Sequence, residues 1–213
     1  MSVITITRQY GAGGSKIAEL VAQRLGWTVV DNEFVEEVAR RAGLPVETVA
    51  AREERAPSLK ERLVSALATA SPEVFVPTGE TTDEIPTEER IVQVTGRVIA
   101  ELAQHGRVVL VGRGAQVVLA GTGSGDALHV YVVAPLDFRV RTVVERLGVN
   151  EKDAARAIEE TDGNRDRYVE RWHGRRRQDP SLYHVSVNTA WLGYDGATDV
   201  IMAAVRLRGW ARE

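Results

Sequence analysis

The sequence predicts an α/β fold of three layers, a five-stranded parallel sheet with helices on both faces. Two observations carry this. Five short apolar, β-branched runs alternate with stretches of helical periodicity along the chain, the pattern of strands that are covered on both sides. The first run also leads straight into a glycine-rich turn and then a helix. At 213 residues the chain suits one domain with a large core and room for a small inserted subdomain.

The elements follow in order. "VITI" (3–6) is the first strand, and "SKIAELVAQRLG" (15–26) is a helix with Ile17, Leu20, Val21 and Leu25 at helical spacing and Gly26 as its stop. "WTVV" (27–30) is the second strand. Asp31 or Asn32 caps the next helix, which sets Phe34, Val35, Val38 and Ala42 on one face. A further helix covers about 58–70. Residues 71–86 hold three prolines, a glycine and three threonines, so they form a loop or a mobile lobe. A helix resumes at 87–105. "RVVLVG" (107–112) and "LHVYVVA" (128–134) are strands, separated by a turn, a short helix and a loop. Helix 136–147 follows. Asn150 with Asp153 resembles a capping box that starts a long charged helix to about 173. "HVSVN" (184–188) is the fifth strand, and the last helix covers about 196–208.

Composition narrows the function. Hydrophobic residues make up 44% of the chain and charged residues 27%, with a net charge of −3, so any basic site must be local. We expect no nucleic-acid partner and no membrane association. Cysteine is absent, which excludes disulfides and thiolate metal sites. The first ten residues lack the pattern of a signal peptide, and no apolar run approaches the roughly 20 residues of a membrane span. The expected location is cytoplasmic.

"TRQYGAGGSKIA" (7–18) poses the chemical question. A turn between a strand and a helix N-terminus offers free backbone N–H groups and a favourable dipole to an anion. Gly11, Gly13 and Gly14, with Ala12 between them, let the backbone approach a phosphate. The phosphate-loop formula is G-x-x-x-x-G-K-[ST]. Ser15 falls where that formula places the hydroxyl that ligates Mg²⁺. Arg8, however, stands at the first glycine, and Gly14 stands at the lysine. Arg8 is the better substitute for the missing cation, because a guanidinium at the start of the loop can fold over the phosphates; Lys16 is the rival. A dinucleotide fingerprint fails, since it would need glycine where Lys16 stands. A plain packing turn remains the modest alternative.

Other residues point the same way. Arg113 lies between two glycines at the end of the third strand, where α/β sheets bind ligands; it is a phosphate clamp or a surface arginine in a tight turn. Asp31 ends the second strand and is a sugar, base or metal-side contact, or else an N-cap. Residues 161–178 are dense in arginine, including Arg165 and Arg171. For Arg175–Arg177 a solvated face is the more ordinary reading. Asp162 and Arg165, at i and i+3 of one helix, look like a working pair, with a surface salt bridge as rival. No acid stands at the end of "RVVLV" to hold a metal, because the residue there is Gly112. The four histidines show no metal spacing and lie near no motif.

Taken together, "RQYGAGGSKIA", "LGWTVVDNEFV", "GRG", "TDGNRDRYVER" and "YHVSVNTAWLG" resemble the cytidylate kinase-like proteins, a divergent branch of the nucleoside monophosphate kinases in the P-loop NTPase fold. The resemblance implies a core (1–43, 91–138, 179–213), an NMP-binding insertion (about 44–90) and a lid (about 139–178). It implies ATP and Mg²⁺ as cofactors and small-molecule nucleotides as partners, in a monomer or homodimer. Gly11, Ala12, Gly13, Gly14, Ser15 and Lys16 would hold the donor phosphates, with Ser15 on the metal. Asp31, Arg113, Asp162 and Arg165 would serve the acceptor side. Arg8, Lys16, Arg165 and Arg171 are the catalytic candidates, with Arg139 and Arg141 as weaker lid candidates. Three function classes compete: phosphoryl transfer from ATP to CMP, dCMP or a related acceptor; a nucleotide-binding protein that has lost the loop lysine; and a scaffold that uses the fold for assembly.

Overall fold

The computed structural model describes residues 2–31, 88–121 and 126–211. The helices expected over 32–43 and 58–70, the loop at 71–86 and nearly all of the expected NMP-binding insertion lie outside these residues. Five strands form one sheet: β1 Val3–Arg8, β2 Thr28–Asp31, β3 Val108–Val111, β4 Ala127–Val133 and β5 Val185–Asn188. Their order is β2-β3-β1-β4-β5, and every pairing is parallel. The chain leaves β1 toward the β2 edge and leaves β4 toward the β5 edge. The carboxyl ends of β1 and β4 therefore flank the switch point at which such sheets bind ligands.

The alternation of side chains sorts the sheet into two faces. Ile4 and Ile6 of β1 join Val109 and Val111 of β3 and Val130 and Val132 of β4 in one cluster. Helix α1 (Gly14–Leu25) and the last helix, α6 (Thr189–Leu207), cover it with Ile17, Val21, Ile201 and Val205. Val3, Val108 and Leu110 face the other way, under α2 (Glu88–His105) and α3 (Ala115–Gly121), which supply Val98, Ile99, Leu102 and Leu119. Each fully buried aliphatic side chain contributes about 1.5–3 kcal/mol, and β1, buried over its whole length, forms the centre of both cores.

Helices α4 (Leu136–Leu147) and α5 (Glu151–His173) make a hairpin with a small core of its own, Val143, Ala154 and Ile158, against which Tyr10 packs. Asn150 caps α5 as its spacing with Asp153 predicts, accepting from the Asp153 N–H at 2.9 Å. Gly26 ends α1 in the left-handed conformation. The last helix starts earlier than its sequence suggests. It turns at Thr189 on the Asn188 cap and kinks at Gly193 (φ 66°, ψ 178°) before continuing. At the other end of the sheet His129 stacks on His184 at 4.9 Å, and its Nδ1 bonds Thr5 Oγ1 at 2.8 Å. Burial there, with help from the neighbouring ring, lowers the His129 pKa to about 4.

Candidate functional site

Residues 9–13 join β1 to α1 and form the loop singled out in the sequence. Gly11 and Gly13 both have φ of +81°. Both also lie where a side chain has no room: a Cβ would fall 2.9 Å from the Arg139 carbonyl at Gly11 and 2.2 Å from Tyr194 Cε1 at Gly13. Buried Ala12 is held from the other side, its carbonyl accepting from Thr189 Oγ1 at 2.9 Å. The N-cap Gly13 brings no side-chain cap, and the first turn of α1 carries no acid. The N–H groups of that turn lack intrahelical partners by geometry, and nothing negative on the first turn competes for their dipole. Ser15 stands exposed on the same turn. A helix N-terminus of this kind, with free N–H groups and no acid beside it, is the type that binds phosphate-sized anions in other proteins.

The loop is pinned by three charged side chains from the α4–α5 hairpin and the segment after it. Asp162 Oδ1 accepts from the Tyr10 N–H at 3.0 Å, and Asp162 Oδ2 accepts from Arg139 at 2.7 Å. Arg139 also donates to the carbonyls of Tyr10 at 3.3 Å and Ala134 at 3.0 Å. Arg177, 3% exposed, donates to the Arg8 carbonyl at 2.8 Å and to Asp166 at 2.5 Å, and lies 3.4 Å from Asp162. Burial alone would lower the Arg177 pKa; its bond to Asp166 and the nearby Tyr131 and Asp162 outweigh burial and raise it. Tyr183 completes the net by donating to the Arg177 carbonyl at 2.6 Å, and burial pushes its own hydroxyl up to about 12. Arg177 thus departs from the solvated reading of the 175–177 run, because its partners lie on α5, 11 residues upstream at Asp166.

Arg8 is 5% exposed, and its guanidinium does not fold over the loop. Its stem runs beneath Gly14, where a Cβ would lie 2.4 Å from Arg8 Cβ. Its Nη1 then fills the space beside Gly112, 2.0 Å from where a Cβ would stand, and its Nη2 reaches Asp31 Oδ2 at 3.5 Å.

A small cleft, partly open to solvent, lies at the carboxyl ends of β1 and β3. Arg8, Arg113, Arg165 and Arg177 line it, with Thr7, Gln116 and Tyr168. Arg113 is one of two non-glycine residues with positive φ (52°) among the described residues, a conformation that costs about 1–2 kcal/mol. Its guanidinium lies over the Tyr168 ring at 4.6 Å. His173 packs against Gly114 in the same turn, and burial lowers its pKa against the opposing effect of its bond to the Arg113 backbone. One histidine therefore does lie beside a motif, brought there by the end of α5.

Of the residues singled out in the sequence, Gly11 to Ser15 form the cradle, and Arg8, Arg113 and Arg165 meet in the cleft with Asp31 bonded to Arg8. Asp162 sits behind the loop as its anchor. Lys16 is exposed and pairs with Glu19 at 3.6 Å, and Arg171 is exposed over the Trp172 ring at 5.0 Å; neither lines the cleft. Tyr183, Gln116 and Tyr194 escaped sequence reasoning, and Arg177 was weighed only as part of a charged run, since each acquires its place through contacts distant in the chain.

Residues 3–190 match the cytidylate kinase-like family, and the chain belongs to that family. No curated protein matches it. Among solved structures it is similar to an uncharacterized protein from Eubacterium ventriosum, at a TM-score of 0.69 and 19% identity over 97% of this chain and 99% of that one. It is also similar to shikimate kinase from Bacteroides thetaiotaomicron, at a TM-score of 0.50 and 13% identity over 96% and 98% of the two chains. The fold is that of the P-loop kinases.

The family implies a nucleotide and usually Mg²⁺. The cradle fits the phosphates of a nucleotide. A divalent ion finds less: Mg²⁺ favours near-octahedral oxygen donors and usually one or two carboxylates. Among the described residues no group of three His, Cys, Asp or Glu side chains comes together. Ser15 offers one neutral oxygen, and Asp31 is engaged by Arg8.

Proposed function

We propose that the chain is a nucleoside monophosphate kinase-like phosphotransferase, moving a phosphoryl group from ATP to CMP, dCMP or a related small phosphate acceptor. The observation that carries this reading is the convergence of Arg8, Arg113, Arg165 and Arg177 on one cleft beside an anion cradle. Phosphoryl transfer is catalysed mainly by positioning and by fixed cations around the charge in flight.

ATP, held along Gly11 to Ser15, would supply the phosphoryl group. The N–H groups of the first turn of α1 orient the donor phosphates. Trp191, 84% exposed just past β5, offers a ring near the donor side, because Thr189 ties that turn to the loop. Arg113, held by its own backbone and by Tyr168, grips the acceptor phosphate. Arg8 and Arg165 flank the path between the two, and Asp31 serves the acceptor side while holding Arg8. Asp162 acts through the loop as a positioning residue. The attacking phosphate oxygen is ionised at neutral pH, so no general base is required. Gly14 in place of lysine favours a second reading, a protein that holds a nucleotide without turning it over.

A coupled phosphoryl-transfer assay of ATP against CMP, dCMP, UMP, AMP and GMP tests the first reading. Turnover on one acceptor that falls by orders of magnitude in Arg8→Ala is the expected result. Tight binding of ATP and CMP with no turnover on any acceptor would establish the second reading instead.

A further inference from the structure

The loop departs from its formula in two ways that look independent in sequence. Position 14 lacks the lysine, and position 112, at the end of β3, lacks the acid that commonly helps to hold the metal ion. One side chain occupies both places. The stem of Arg8 fills the space that a side chain at 14 would enter, and its guanidinium fills the space that a side chain at 112 would enter. The two glycines are therefore the room that Arg8 needs. The result is a buried, permanently charged group at the floor of the cleft, paired with Asp31 at 3.5 Å and with Arg113 and Arg165 beside it. A carboxylate at 112 would have drawn a divalent ion to this end of the loop. A guanidinium in the same place repels one and itself neutralises phosphate oxygens.

We infer that Arg8 is a resident cation standing in for both the loop lysine and the protein's anchor for the divalent ion, so that this chain binds a polyphosphate without needing Mg²⁺. The inference rests on the anion-binding role of the loop proposed above and concerns binding alone. Ser15 keeps a hydroxyl at the loop, but it is exposed and brings no charge to compete with Arg8.

Calorimetric titration of the full chain with ATP and with inorganic tripolyphosphate, each in chelator and each in excess Mg²⁺, is the test. The expected result is an affinity in chelator within about threefold of that in Mg²⁺, and a loss of at least about tenfold in chelator for Arg8→Gln. Binding that weakens by more than about threefold when Mg²⁺ is removed overturns the inference and leaves the nucleotide reading standing. Tripolyphosphate binding without ATP binding in chelator supports the inference and overturns the nucleotide reading. No binding of either probe in either buffer overturns both. Should Arg8→Gln fail to fold by circular dichroism, the wild-type titrations decide alone.

Discussion

Gly14→Ala tests whether the loop is built around Arg8. Alanine in a helix is ordinarily more stable than glycine by up to about 1 kcal/mol, so on propensity alone the substitution should stabilise. Here the added carbon would lie 2.4 Å from Cβ and 2.9 Å from Cγ of Arg8. Those atoms are the root of the side chain, fixed to a strand buried along its length, and they cannot swing aside. Overpacking of this kind costs about 1–3 kcal/mol, enough to reverse the sign. Net of the propensity gain the loss is up to about 2 kcal/mol, so at roughly 2–4 °C per kcal/mol for a chain of this size the melting temperature should fall by up to about 8 °C. The assay is thermal unfolding followed by circular dichroism for wild type, Gly14→Ala, Arg8→Gly and the double variant. Removing the Arg8 stem removes the clash, so the double variant should recover about 1 kcal/mol or more relative to the sum of the singles. A Gly14→Ala protein as stable as wild type, or a strictly additive cycle, would refute the reasoning.

Arg177→Met should destabilise by about 3 kcal/mol in denaturant titration, because it removes the cation bonded to Asp166, leaves Asp162 with Arg139 alone and takes the donor from the Arg8 carbonyl. Arg113→Ala should raise the KM for the phosphate acceptor by about tenfold or more with a much smaller change for ATP; equal losses for both would make the turn structural. Stability should fall as pH drops from about 6.5 to about 4, the window between the unfolded and folded pKa values of His129, since only the unfolded chain takes up a proton there. The loss should be of the order of 2 kcal/mol, and His129→Gln should flatten that part of the stability–pH curve.

The fold was legible because its signals are local. Val3, Val109 and Val130 sit in β-branched runs, Gly26 ends a periodic stretch, and Asn150 with Asp153 marks a helix start within four residues. The glycine turn was legible for the same reason, lying between two recognisable elements. The path of Arg8 was not. Its direction is set by Gly112, more than a hundred residues away, and by Asp31 on another strand. Arg177 reads as one of three exposed arginines until α5 folds back and brings Asp162 and Asp166 to it. Periodicity in the sequence starts the last helix at about 196; its first turn, from Thr189, lies ahead of a kink at Gly193 that a periodicity reading does not bridge.

The clamp behind the loop fastens onto main-chain atoms. Asp162 takes the N–H of Tyr10, Arg139 takes the Tyr10 carbonyl, and Arg177 takes the Arg8 carbonyl. Every residue type except proline can supply those groups at both positions, so the clamp is indifferent to which side chains stand at 8 and 10. The loop's path and the loop's chemistry are thereby separable. The backbone track at 8 and 10 is held by three distant residues, so a change of side chain at position 8 acts through what that side chain fills and pairs with, at Gly14, Gly112 and Asp31, and not through the clamp.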